Sequence, residues 1–149
     1  GDLTQAGAIM GTPAYMPPEQ ASGHEVDERA DIYSLGAILY EIMTRTPPVG
    51  KGGDMMAGLM RVLDGKIESP EVRSPERARD GWTPPELAAV AMKALSAQPT
   101  DRYLSVADLQ RDIQRFQEGR SVSAKQDSVW EIVRKLVRRN RGASIAMAV

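Results

Sequence analysis

Cysteine is absent from the 149 residues and histidine occurs once, at His24. Disulfide scaffolds and thiolate metal sites are therefore excluded, and histidine catalysis or multi-histidine metal binding lacks the residues it needs. Zero cysteine is compatible with a reducing cytoplasm. No stretch reaches the roughly twenty consecutive apolar residues that span a bilayer, and no secretory signal opens the chain. Nor does one sign of charge dominate: 19 Lys plus Arg stand against 20 Asp plus Glu, net −1, so nothing in the whole-chain balance calls for a nucleic-acid partner. What remains, 42% hydrophobic and 26% charged, is globular composition with enough length for one ordinary domain and its core. The chain opens on Gly1 and stops inside the apolar run ASIAMAV; both ends read as breaks, and the polypeptide as given is expected to be soluble or incomplete.

The near-neutral total is a cancellation. Residues 1–119 carry 12 basic and 18 acidic side chains, whereas 120–149 carry 7 and 2. Five of those seven basic residues fall within RKLVRRNR at 134–141, which contains no acid. A boundary is therefore expected at Gly119.

Upstream of it the patterning predicts four helical segments and no strand. ADIYSLGAILYEIMT, 30–44, is apolar on nearly every face, with Gly36 where a neighbour could come close. Such a helix belongs in the middle of a larger body. Asp31 is expected to cap its start, and Pro47-Pro48 cannot continue it. A second helix is expected over Asp54 to Leu63, with Met55, Met56, Leu59 and Met60 on an adaptable face and Gly65 as its stop. Residues 66–82 read as an exposed loop, because they hold two prolines, many charges and little periodicity. Thr83-Pro84-Pro85-Glu86 then reads as a capping box, with Leu87, Val90, Ala91, Ala94 and Leu95 following on one face. Ser105 to Asp108 opens a further helix in the same way, striped by Leu109, Ile113 and Phe116. The first 24 residues, broken by glycines and prolines, are where recognition is expected.

Three ordered strings then become specific: GTPAYMPPEQA at 11–21, DERADIYSLGAILYEIMTRTPP at 27–48, and KALSAQPTDRYLSVADLQRDIQRFQEG at 93–119. Together they resemble the later part of a bacterial, eukaryotic-like Ser/Thr protein kinase domain. The resemblance implies a mainly α fold, the helical large lobe of the protein-kinase fold without its small lobe, followed by a separate C-terminal helix. It divides the chain into an activation-segment remainder and substrate-binding loop at 1–24, lobe helices at 25–119, a basic juxtamembrane segment at 120–141, and the start of a transmembrane helix at 142–149.

It also assigns roles. Met16-Pro17-Pro18-Glu19 stands where the family has Ala-Pro-Glu, with Pro17 replacing the alanine. Glu19 would then form a buried ion pair with Arg102 of PTDRY; by themselves the two residues read as exposed charges. Asp31 would hold the catalytic loop, a role compatible with capping. Gly11, Thr12, Pro13 and Tyr15 would line the loop that receives the residue after the phosphoacceptor, with Thr12 contacting the catalytic aspartate and lysine of the intact enzyme. A lone Gly-Thr-Pro would otherwise read as a turn. Thr4 resembles an activation-loop phosphosite, and an ordinary solvated threonine is the plain alternative.

The glycine-rich loop, strand lysine, catalytic-loop aspartate and DFG aspartate that phosphoryl transfer needs are not among these residues. ATP and Mg are accordingly expected for the intact kinase and neither for this chain, which is expected to be inactive alone and to need the missing small lobe. VGKGGD at 49–54 lacks the spacing of a phosphate loop, and His24 reads as a surface residue. Within the tail, Val129, Ile132, Val133, Leu136 and Val137 recur at helical spacing among arginines, forming an amphipathic cationic helix. Ahead of GASIAMAV it resembles a juxtamembrane segment on the cytoplasmic side of a membrane, with an anionic surface as partner. Protein substrates bearing Ser or Thr are the expected partners, and nucleic acid is not. Two other classes compete: a non-catalytic pseudokinase or helical interaction module, and a membrane-surface or nucleic-acid-binding helix in 120–149.

Overall fold

A computed structural model describes residues 12–51 and 54–146, with the backbone alone described for 141–146. Gly11 and Thr4 lie outside the described residues. A 3-10 turn, Pro13–Tyr15, leads into α1 (Pro18–Ala21), the long α2 (Glu28–Thr44) and α3 (Met55–Asp64). Two short helices follow, α4 (Pro70–Arg73) and α5 (Pro75–Arg79), then α6 (Pro85–Ala94), α7 (Val106–Gln117) and α8 (Val129–Ala146). Among the described residues there is no strand.

α2 is the organising element. Ile32, Ala37 and Tyr40 have no exposed surface, and Tyr33 and Met43 have almost none. One of its sides joins Val90, Ala94, Tyr103, Leu109 and Val122; another joins Ala91 and Leu95. Gly36 permits this approach, since a Cβ there would stand 2.6 Å from the Ala94 Cβ. Without a small lobe and catalytic loop this helix is expected to lose part of its cover, and one side is indeed open. Leu35, Ile38 and Ile42 are 41%, 48% and 66% exposed, leaving one open apolar side.

The start of α2 is corrected. Asp27, in extended conformation, accepts a hydrogen bond from the Arg29 backbone N–H at 2.9 Å, so the helix begins four residues earlier than Asp31 would place it. Asp31 lies exposed within the first turn, where its charge still complements the helix dipole. The sequence pattern misled because acidic residues crowd this turn, and only the first has the extended backbone that aims a carboxylate at free N–H groups.

The capping box at Thr83 does not form. Proline holds the preceding residue extended, so Pro84 sits at ψ 133° and the helix starts only at Pro85. Thr83 is buried and its hydroxyl donates to the Met43 carbonyl at 3.4 Å, on the last turn of α2. Ser105 and Asp54 do cap their helices, accepting from the N–H groups of Asp108 and Ala57.

Residues 66–82 are likewise more than an exposed loop. Pro70 is buried, the Tyr40 hydroxyl donates to the Glu68 carbonyl at 2.9 Å, and Arg77 donates to the Met43 carbonyl. Helix termini leave carbonyls unpaired, and α5 supplies the donor that the end of α2 needs.

Beyond Gly119 the chain returns to the lobe before α8 begins. Val122 enters the core. Asp112, itself buried, accepts hydrogen bonds from the Tyr103 hydroxyl at 2.8 Å, the Ser123 N–H and hydroxyl at 2.7 Å each, and the Ala124 N–H at 3.1 Å. The change of charge at Gly119 is therefore not a change of packing.

Candidate functional site

The 3-10 turn is built from Thr12-Pro13-Ala14-Tyr15. Tyr15 N–H donates to the Thr12 carbonyl at 3.2 Å and Met16 N–H to the Pro13 carbonyl at 3.2 Å. Two contacts fix the turn on α2: the Ser34 hydroxyl donates to the Tyr15 carbonyl at 2.9 Å, and the Tyr15 hydroxyl donates to the Glu41 carboxylate. That hydrogen bond, together with burial and the carboxylate's charge, holds the Tyr15 phenol above its ordinary range. Met16 and Pro17 are buried beneath, while Thr12 is exposed at the rim.

Against this turn lies the start of α3. A Cβ at Gly58 would come within 3.2 Å of the Pro13 Cβ, so any larger residue there would press on the turn. Between turn and helix is a cavity of about 210 Å³ lined by Pro13, Ala14, Val49, Met55, Asp54 and Arg61, among others. Its lining is apolar with one charge of each sign, Asp54 and Arg61.

Below the turn, Glu19 on α1 meets Arg102, 83 residues away. The guanidinium has no exposed side-chain surface and the carboxylate side chain is 14% exposed. Nη1 donates to Glu19 Oε1 at 2.7 Å and Nη2 to Oε2 at 2.8 Å, the bidentate geometry that suits a planar fork. Backbone carbonyls take the other donors: Arg29 on Nη1 at 2.9 Å, Ser96 on Nε at 2.8 Å and Ala97 on Nη2 at 3.3 Å. All five N–H groups of the side chain are thus used. The Tyr33 ring lies 5.0 Å beneath the guanidinium. Burial pushes the Glu19 carboxyl up, but the hydrogen bonds and charge of Arg102 outweigh it, and the carboxyl titrates below its ordinary value.

The structure thus brings Thr12, Pro13, Tyr15, Glu19 and Arg102 onto one side of α2, and leaves Asp31 exposed near its start. His24 is exposed in the following loop. Glu41 and Ser34, which hold the turn, carry no sequence signal of their own; only their register on α2 beneath the turn reveals them. Among the described residues no group of His, Cys, Asp or Glu is arranged to hold a metal ion.

Comparison with known proteins gives this geometry its context. Residues 2–112 match the protein kinase domain. The chain is 38% identical over 122 residues to the serine/threonine-protein kinase PknB of Mycolicibacterium smegmatis, covering 82% of this chain and 18% of that protein. It is 37% identical over 117 residues to PknB of Mycobacterium tuberculosis, covering 78% and 18%. Over 138 residues it is 36% identical to the serine/threonine-protein kinase PknD of Chlamydia pneumoniae, covering 87% and 14%. The chain therefore spans less than a fifth of each of these curated relatives.

Proposed function

This chain belongs to the protein kinase domain family, and on that premise we propose that the protein it comes from transfers the ATP γ-phosphate to Ser or Thr of protein substrates. The chain contributes the helical lobe and the loop that positions the substrate. The residue following the acceptor lies against Pro13 and Ala14, and Thr12 at the rim orients the acceptor toward the catalytic groups. Asp31 anchors the catalytic loop. Thr4 receives a regulatory phosphate.

The observation that carries the reading is the Glu19–Arg102 pair, which ties α1 and the turn above it to the last third of the lobe. A desolvated bidentate pair with every donor used fixes one geometry. A substrate loop must be held so, because positioning is most of what a kinase contributes to phosphoryl transfer.

The sequence contains no glycine-rich loop or DFG with which to hold nucleotide and magnesium. They are assigned to the intact kinase, and the 149 residues alone are inactive. Incubation with labelled ATP and a Ser/Thr peptide tests this. The whole protein should label the peptide, Thr12→Ala in it should lower kcat, and the isolated chain should transfer nothing; transfer by the isolated chain would refute the assignment. A whole protein that binds partners yet labels none would favour a non-catalytic interaction module, for which the exposed Met55, Met56 and Met60 of α3 provide a face.

The whole protein is further proposed to sit on the cytoplasmic side of a membrane, with 120–141 facing anionic lipid and a span beginning near 142. Among the described residues no helix is long and apolar enough to cross a membrane. The support is the five basic residues of 134–141 ahead of an apolar run.

A further inference from the structure

α8 presents two opposite sides, and only one of them faces the lobe. On that side Lys135 donates to Asp127 at 2.6 Å and to Glu86 at the start of α6 at 3.0 Å. Asp127 has 1% side-chain exposure and is also bound by Lys125 Nζ at 3.0 Å and the Ser121 hydroxyl at 2.5 Å. These contacts stop the helix from rolling. On the other side, Trp130, Val133 and Val137 share a face by their spacing and are 70%, 41% and 53% exposed. Arg134 and Arg138 line the same shallow groove, Arg138 also bordering the lobe-side groove near Glu86, and among the described residues neither forms an ion pair.

We infer that α8 lies lengthwise in the headgroup layer of an anionic bilayer, with Trp130, Val133 and Val137 toward the acyl boundary and Arg134 and Arg138 on lipid phosphates. The inference rests on the membrane location proposed above, adds an orientation to it, and moves the start of the proposed span from 142 to beyond Ala146, where α8 ends. Three observations select this occupant. An apolar stripe edged by unpaired arginines matches a surface that is apolar below and anionic above. Residues 1–119 carry 12 basic against 18 acidic side chains, so an anionic surface repels the lobe and draws only the segment of opposite charge. α8 is also continuous from Val129 to Ala146. Run straight into a bilayer at residue 142, it would leave Trp130 about 18 Å out in water, with its apolar face unused. A second copy on this face would set Arg134 and Arg138 against their own kind.

The test uses the whole 149-residue chain carrying Trp82→Phe, which leaves Trp130 as its sole tryptophan. Vesicles of mixed phosphatidylglycerol and phosphatidylcholine should shift Trp130 emission to the blue, and pure phosphatidylcholine should not. Arg134→Gln with Arg138→Gln should weaken binding about fivefold per arginine and flatten its salt dependence. Val133→Ser with Val137→Ser should weaken it roughly tenfold at unchanged charge. All four residues are exposed, so circular dichroism and melting should stay as in the parent. Unchanged Trp130 emission with anionic vesicles would overturn the inference. So would binding indifferent to the valine pair, or a concentration-dependent dimer dissolved by that pair without vesicle binding. Fractionation of the whole protein separates this from the underlying location. A whole protein that stays with membranes while this chain ignores vesicles would refute the orientation alone, and one absent from membranes would refute the location.

Discussion

Arg102 concentrates more structural consequence than any other side chain described here, because it joins a carboxylate, three carbonyls and a ring from three other parts of the chain. Removing one partner of a buried pair leaves the other charge desolvated and costs about 3–5 kcal/mol. Arg102→Met should therefore lower the denaturation midpoint of the chain sharply. Glu19→Gln leaves the buried guanidinium without its counter-charge, but an amide oxygen and three backbone carbonyls still accept from it, so this substitution should cost less. The pair also sets a pH dependence. Glu19 titrates lower folded than unfolded, so its contribution is complete above the ordinary carboxylate range and is lost as pH falls through the folded value. Asp112 acts in the same sense: burial raises its carboxyl, and the hydrogen bonds from Ser123, Tyr103 and Ala124 lower it further than burial raises it. Melting temperature should be level near neutrality and decline in acid, and Glu19→Gln should make that decline shallower. A parent melt flat down to the acid limit would contradict this.

At the scale of elements, α2 offers two discriminating substitutions. Asp27→Ala removes the cap and should lower the melt of this chain, whereas Asp31→Asn should barely alter it and, on the anchoring role proposed for Asp31, should lower turnover of the whole kinase. Equal destabilisation by both would return the cap to Asp31. Gly36→Val would drive a branched side chain into Ala94 and should cost about 1–3 kcal/mol by urea denaturation, as overpacking does. The elements show what was legible in the sequence and what was not. α3 and α7 were readable because their caps, stripes and stops are local chemistry. The Thr83 box failed because two adjacent prolines moved the helix start, and α4 and α5 were missed because each is held by contacts made to α2. In the site, Glu19 and Arg102 were readable through motifs alone: nothing in their own surroundings along the chain distinguishes a buried ion from an exposed one. Asp112 and Lys135 were invisible because their partners are brought by the fold.

At the scale of the molecule, the open side of α2 is a departure from a self-contained body among the described residues. Leu35, Ile38 and Ile42 meet Val106, Leu109 and Ile113 around an apolar groove of about 290 Å³. Contiguous apolar surface of this kind drives association unless something covers it. The isolated chain should bind a hydrophobic dye and elute with a concentration-dependent volume, and Ile38→Ser with Ile42→Ser should reduce both without lowering the melt; a clean monomer that ignores the dye would refute this. The 83-residue separation of Glu19 from Arg102 bears on a different matter, the order in which the molecule is made. A ribosome adding about 5–20 residues per second needs roughly 4–17 s to travel from one to the other. Throughout that interval the acid emerges with no base to meet it. Until then the first turn of the lobe stays solvated, and the docking of α1 waits on Arg102, which is translated late in the lobe.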